Sequence, residues 1–181
     1  YTTLFRSRLS TSGGYELLAD GQAVLRSDAP MPPTGIVRRA DGWQVGGKRY
    51  TADVLELRPR DGQRFVVDRK AYRGAARILP AGSDALRLVN HVDMETYLAG
   101  VLAKELYPHW NLETYRAQAV AARTFALYHR QTSGRGRSYD LGPSTAWQVY
   151  GGFGAETEKS WRAVRGTHGR VLTHGPDGGE R

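Results

Sequence analysis

The residues best suited to chemistry are Glu105 and Arg123. Glu105 lies in Gly100-Val101-Leu102-Ala103-Lys104-Glu105-Leu106-Tyr107-Pro108, where one helix is expected to end before another starts. A carboxyl group partly desolvated by apolar and aromatic neighbours titrates upward and can act as a general acid near neutral pH. On composition alone, a surface glutamate paired with Lys104 or a distant arginine fits better. Arg123 stands in Ala121-Ala122-Arg123-Thr124. A guanidinium among alanines either pairs with a buried acid or projects into a cleft, and spacing does not separate the two. The five histidines, at 91, 109, 129, 168 and 174, form no metal-ligand spacing and read as surface or cap residues. No phosphate loop, nucleophile elbow, zincin motif or calcium loop is present. The absence of cysteine excludes a Cys nucleophile, a disulfide scaffold, a zinc ribbon and a Cys-ligated cluster.

Helices must hold these two side chains. Asp93 is a suitable N-cap, and Met94, Tyr97, Leu98, Val101 and Leu102 follow at helical spacing as one apolar stripe. Pro108 ends that helix or lies just past its end. Asn111 is the next N-cap, before an Ala-rich helix over 112–130 free of Gly and Pro. Its small residues Ala117, Ala119, Ala121, Ala122 and Ala126 permit close packing. A Gly/Ser/Arg loop is expected over 131–138, a helix over 156–165 stopped by Gly166, a last strand over 170–174 and a turn-like end over 175–179.

The first ninety residues have a different texture. Short apolar runs at 15–18, 23–25, 42–45, 54–58, 65–67, 72–74 and 86–90 alternate with turn signals such as Asp20-Gly21 and Asp61-Gly62. The stretch 28–35 holds Pro30, Pro32 and Pro33 and reads as a loop. The expected fold class is α+β: a turn-rich antiparallel β first half, then a helical segment and a short terminal strand.

Composition fits a globular chain: 181 residues, 40% hydrophobic and 24% charged. No apolar run approaches the roughly 18 residues of a membrane span. The start has neither the basic nor the apolar region of a signal peptide, and there is no initiator Met, so any targeting segment is expected outside this chain. The formal charge is +8, from 22 Arg and 4 Lys against 18 acids. Positions 1–90 carry 15 basic and 9 acidic residues and hold most of the excess. Among the arginines only Arg38 and Arg39 are adjacent, and no helix bears a basic stripe, so nucleic acid is not the expected partner. A solvated arginine-rich surface, or attraction to an anionic cell wall, fits better.

The run Leu88-Val89-Asn90-His91-Val92-Asp93-Met94-Glu95-Thr96-Tyr97-Leu98-Ala99-Gly100-Val101, continuing through Glu105-Leu106, precedes Tyr115-Arg116-Ala117-Gln118-Ala119-Val120-Ala121-Ala122-Arg123-Thr124-Phe125-Ala126. This resembles the family of the stage II sporulation protein D and the amidase enhancers. Supporting matches are Tyr139-Asp140-Leu141, Gln148-Val149-Tyr150-Gly151-Gly152, Ala163-Val164-Arg165-Gly166 and Gly169-Arg170-Val171-Leu172. The resemblance covers about 40–174 and makes 1–90 and 91–181 the β-rich and helical catalytic parts of one domain. It implies a peptidoglycan lytic transglycosylase, with Glu105 matching the family's catalytic glutamate and Arg123 its activity-linked arginine. Such an enzyme cleaves between N-acetylmuramic acid and N-acetylglucosamine without water, leaving a 1,6-anhydro sugar, and one carboxyl suffices. The two nearest carboxylates, Glu113 and Asp140, have no supporting motif. On this reading Arg123 orients Glu105 or binds a substrate oxygen, and Gln118, Gln148, Tyr150 and Trp147 line the sugar cleft. Trp110 and Trp161 are further stacking candidates.

Two departures from the family pattern stand out. Some members bind zinc through a His and two Cys around the Tyr-Asp-Leu segment. Here 139–148 holds neither residue type, so no metal or other cofactor is expected, and Pro143 and Trp147 are expected to stabilise the loop instead. Members also continue into a Ser/Gly-rich segment that shapes the active site, whereas this chain ends at Arg181, which implies an open cleft or a segment outside the chain. The expected partners are peptidoglycan glycan strands in the cell envelope, outside the cytoplasm. The alternative reading is a non-catalytic glycan-binding module that activates a cell-wall amidase.

Overall fold

The structure is a computed structural model that describes residues 2–4, 6–132, 136–142 and 147–174. It divides into two compact units, Tyr1–Asp93 with Gly152–Gly154, and Met94–Gly151 with Ala155–Arg181.

Among the described residues the first unit consists of two six-stranded antiparallel sheets. One contains β1 (Thr2–Leu4), β3 (Tyr15–Ala19), β4 (Gln22–Ser27), β8 (Leu55–Pro59), β11 (Ala75–Pro80) and β12 (Leu86–His91), in the order β1-β12-β11-β8-β3-β4. The other contains β2 (Arg6–Thr11), β5 (Thr34–Arg39), β6 (Gly42–Val45), β7 (Lys48–Tyr50), β9 (Phe65–Val67) and β10 (Lys70–Tyr72), in the order β10-β9-β2-β5-β6-β7. Period-two alternation gives each sheet one apolar face. Leu17, Leu55, Leu57, Ile78, Leu86 and Leu88 from the first sheet join Leu9, Ile36, Trp43, Val45, Phe65 and Val67 from the second in one buried cluster.

The β-rich first half and the helical second half agree with the expected α+β class. Asp20 and Gly21 both take positive φ, 47° and 83°, as a two-residue hairpin turn between β3 and β4 requires. The Pro-rich loop ends where β5 starts at Thr34. The expected strand at 72–74 is a correction. β10 stops at Tyr72, and Gly74 takes φ +86° where an added Cβ would meet the His91 carbonyl oxygen at 2.3 Å. Position 74 is therefore a turn into β11, which the sequence did not announce.

Among the described residues the second unit packs three α-helices against one another: α1 (Met94–Glu105), α2 (Leu112–Thr132) and α3 (Glu158–Gly166). α1 starts directly after Asp93, as expected. Its middle is buried all round rather than along one stripe, since Tyr97, Leu98, Ala99, Gly100, Val101 and Leu102 are all enclosed. Asn111 Oδ1 accepts from the Thr114 backbone N–H at 2.8 Å, which caps α2. Ala119, Ala122 and Ala126 form the buried stripe of α2, while Ala117 and Ala121 face outward. α3 begins two residues later than expected because Thr157 and Ser160 close a reciprocal capping box. The segment 170–174 does not pair as a strand among the described residues. It is tied to α2 instead: Leu172 N–H donates to Thr124 Oγ1 at 2.9 Å. Pro143 and the end over 175–179 lie outside the described residues.

Candidate functional site

Glu105 is the last residue of α1 and is half-buried. Its Oε2 accepts a hydrogen bond from Gln118 Nε2 at 2.9 Å. Neither Lys104 nor an arginine pairs with it among the described residues. The carboxylate is thus held by a neutral amide, one oxygen engaged and the other, Oε1, without a described hydrogen-bond donor. Thirteen residues separate the two partners. The antiparallel course of α1 and α2 brings them together.

Arg123 is placed differently from the expectation. It is 2% exposed and makes a bidentate ion pair with Glu95, Nε to Oε1 at 2.8 Å and Nη2 to Oε2 at 2.6 Å. Nη1 donates to the Arg170 carbonyl at 2.9 Å and, more weakly, to the Ala119 carbonyl at 3.4 Å. Of the two readings left open by composition, the structure shows the buried acid pair. Glu95 is in the first turn of α1 and Glu105 at its end, so about ten residues of helix, or about 15 Å, separate them. Arg123 touches neither Glu105 nor the open side of its carboxylate. It fastens the start of α1 to α2 and to the segment after α3.

Gln148 is buried rather than cleft-lining. Its Oε1 accepts from the Tyr97 hydroxyl at 3.2 Å, and its Nε2 donates to the Ala122 carbonyl at 3.3 Å, joining α1 to α2. Tyr150 packs on Tyr97 with ring centres 5.1 Å apart. Burial first, then the Glu105 carboxylate and the Tyr150 hydroxyl, pushes the Tyr97 hydroxyl far above the ordinary tyrosine range. Tyr97 therefore stays a neutral donor and lies within electrostatic reach of Glu105. A tyrosine whose folded pKa is raised contributes stability that is intact below about pH 10 and lost as pH climbs past it. The thermal midpoint is expected to fall on the alkaline side of pH 10, with a shallower fall in Tyr97→Phe. An identical alkaline slope in the variant, read by thermal denaturation between pH 8 and 11, would refute this.

Trp147 sets its indole edge-on to His129 of α2, centres 4.8 Å apart, and packs against Gly142. Trp161 donates its indole N–H to Glu156 Oε2 at 2.9 Å and is half-buried, a structural placement. Trp110 is different: it is 39% exposed, in edge contact with Tyr107, which is 63% exposed. The two follow Glu105 directly in the chain. Lys159 of α3 donates through Nζ to the carbonyls of Pro108 and Trp110 and so fixes their loop. Glu113 is turned outward into an ion pair with Arg116.

The structure thus gathers Glu105 and Gln118, with Tyr97, Gln148 and Tyr150 behind them, and leaves Arg123 and Trp147 elsewhere. Sequence reasoning missed Glu95, Tyr97, Tyr107 and Lys159. Glu95 alone had a legible signal, an acid in the first turn of a helix facing a neighbour that carries one arginine among alanines.

A family model described as SpoIID, stage II sporulation protein, matches residues 82–174, about half of the chain and the whole of this site. An uncharacterized protein of Brachyspira hyodysenteriae is 38% identical over 117 residues, 65% of this chain and 31% of that relative. The chain therefore spans about a third of the length of this curated relative. No solved structure matches the chain. With the matched stretch running from β12 through both site helices to the anchored segment after α3, the chain belongs to the SpoIID stage II sporulation protein family.

Proposed function

We propose that this chain is a peptidoglycan lytic transglycosylase with Glu105 as its single acid and base. The observation that carries the reading is the placement of the Glu105 carboxylate: one oxygen is steadied by Gln118, and among the described residues the other accepts no hydrogen bond and no cation pairs with the group. In the first half of the reaction, protonated Glu105 gives its proton to the oxygen linking muramic C1 to the N-acetylglucosamine that leaves. In the second half, the carboxylate takes the proton of the muramic 6-hydroxyl as that oxygen bonds to C1. The proton returns to Glu105, no water is consumed, and the muramic end closes as a 1,6-anhydro ring.

A hydrolytic pair is disfavoured by distance. Inverting glycosidases set their carboxyls about 6.5–9.5 Å apart, and retaining ones about 5–5.5 Å. Glu95 lies about 15 Å along the helix from Glu105 and is occupied by Arg123. Glu113 is paired with Arg116 on the solvent side. Tyr107 and Trp110, two and five residues after Glu105 in the chain, supply exposed aromatic faces that suit the apolar faces of pyranose rings. On this reading Gln118 positions the acid, and Arg123 acts at a distance by fixing the start of α1.

The test is incubation with purified glycan strands, with and without stem peptides, followed by mass spectrometry for anhydro-muramyl ends. Bound strands with no anhydro product from either substrate would favour a non-catalytic activator of a cell-wall amidase. Gln118→Ala separates positioning from folding. Loss of one partly exposed hydrogen bond costs about 1 kcal/mol, whereas a misplaced acid lowers turnover by about 10–100-fold. Wild-type turnover in this variant would remove Gln118 from the mechanism. The proposed setting is the cell envelope outside the cytoplasm. Among the described residues no helix is long and apolar enough to cross a membrane.

A further inference from the structure

The arginines that look scattered in the sequence are sorted by strand register into two kinds of surface. On the outer face of the sheet containing β3, cations and acids alternate across the strands. Glu16 lies opposite both Arg26 and Arg58, and Glu56 opposite Arg77. Ion pairs follow: Arg26 with Glu16, and Arg58 and Arg77 with Glu56. On that face Arg26, Arg58 and Arg77 are each held in an ion pair, three cations on two acids, so their charge is largely compensated.

The outer face of the other sheet is not. Arg8 pairs in register with Gly35, Val37 with Gln44, and Gln44 with Arg49, so these positions share one face. Arg39 is two residues beyond Val37 on the same side. Arg69 sits in the β9–β10 turn and lines a shallow cavity of about 430 Å³ with Arg8, Ser10, Pro33, Val66 and Asp68. Asp68 is the only acid among those lining residues. Among the described residues Arg8, Arg39, Arg49 and Arg69 make no ion pair. Arg39 donates to the neutral Gln44 Oε1 at 3.0 and 2.7 Å, which leaves its charge uncompensated. Strands are about 4.8 Å apart and residues about 3.4 Å apart along them. Arg8 and Arg49, three strands apart and offset by two residues, are therefore about 16 Å from each other, and Arg39 lies about 14 Å along β5 from Gly35.

We propose that this face binds a linear phosphodiester polymer of the cell envelope. Cations this far apart do not converge on one small anion, but they match a chain with repeating charges. Arginine suits phosphate oxygens through paired N–H donors. Nucleic acid is the less favoured polyanion. The face presents Gly35, Val37, Val66 and Ala71 between its arginines, while Trp43 and Tyr50 sit on the opposite side of the same sheet, so no aromatic platform for stacking bases is offered. The binding needs no turnover and stands apart from the reaction proposed for Glu105.

The test measures anisotropy of a fluorescent glycerol-phosphate oligomer titrated with the full chain at several salt concentrations. Binding is expected to weaken with salt at a log–log slope of about −3 for four cationic contacts, on the relation for single strands. Arg8→Gln with Arg49→Gln and Arg69→Gln should weaken it roughly tenfold and flatten the slope. The same number of charges removed from the other sheet, by Arg26→Gln with Arg58→Gln and Arg77→Gln, should leave affinity within about twofold. Equal losses in both triple variants, or no binding by the wild type at low salt, would overturn the assignment. Tighter binding of an oligothymidylate with the same number of phosphates would overturn it in favour of nucleic acid. Glycan cleavage, read separately by anhydro-muramyl ends, is unchanged in the Arg8/Arg49/Arg69 variant on soluble strands.

Discussion

Glu105→Gln should lower production of anhydro-muramyl ends by about 10²–10⁴-fold, the usual contribution of a positioned general acid or base. The amide keeps the size of the side chain and can still meet Gln118, but it has no proton to give to the glycosidic oxygen and no carboxylate to take one from the 6-hydroxyl. On the proposed mechanism one group does both jobs, so no second carboxylate remains to support the second half. The fold should be untouched, since Glu105 is half-buried and makes no ion pair among the described residues. The check is turnover on purified glycan strands beside a thermal melt. A variant that melts like wild type and cleaves like wild type would end the role assigned to Glu105.

Arg123→Ala should act through stability. The guanidinium is 2% exposed and the Glu95 side chain 16%, and removing one partner of such a pair leaves the other charge without compensation. Breaking buried pairs this way costs about 3–5 kcal/mol. Glu95 keeps some access to water, so the low end, about 3 kcal/mol, is expected. For a chain of this size that is a fall of about 6–12 °C in midpoint. Turnover should fall as well, because the start of α1 loses its attachment to α2 and to Arg170. A double-mutant cycle with Glu95→Gln and Arg123→Met isolates the pair. If the double variant is as destabilised as the sum of the singles, the two residues are not coupled and the clamp is not formed in solution. A folded Arg123→Ala protein with wild-type turnover would leave Arg123 with no part in positioning the site.

The parts of the fold that were readable from sequence are those set by local chemistry. Asp20-Gly21 announced its hairpin because glycine accepts a positive φ without steric cost. Asn111 announced the start of α2 because its side chain competes for backbone N–H groups. Asp68-Arg69 makes the same kind of two-residue turn, with φ of 45° and 73°, but carries no glycine to mark it. β11 reads Ala75-Ala76-Arg77-Ile78-Leu79-Pro80, a weak strand former, and becomes a strand because β12 and β8 hydrogen-bond to it from both sides. The end segment shows the reverse. Val171 and Thr173 alternate with other residues as in a strand, yet no partner strand is adjacent among the described residues, and α2 side chains hold it. In the candidate site, the neighbours of Glu105 left it open between a tuned acid and a surface glutamate, and only the family resemblance singled it out. Its partner Gln118 was named only as a cleft residue, because a contact across a helix pair has no local signature. Arg123 was legible as a residue requiring an explanation. The acid that supplies it lies 28 positions away, and only packing selects Glu95 from the other carboxylates.

The neighbouring places of β1 and β12 in their sheet bear on the order in which the chain can fold. Thr2 lies opposite Leu88 and Leu4 opposite Leu86, so the first strand waits for a partner more than eighty residues downstream. β3 and β4 form a hairpin at once, and so do β5 and β6, but the sheet that holds β1 cannot be completed until β12 has emerged. Such distant pairing slows folding, because chain entropy is lost before the contact is gained. α1 and α2 come next in the chain and need only a short connection to meet. A chain made or exported from its N-terminus therefore reaches its helices at almost the same moment that it becomes able to close its first sheet. Until that moment the edge of β11 that β12 will cover lies open, and this is the interval in which the chain is most exposed to pairing with a strand from another molecule.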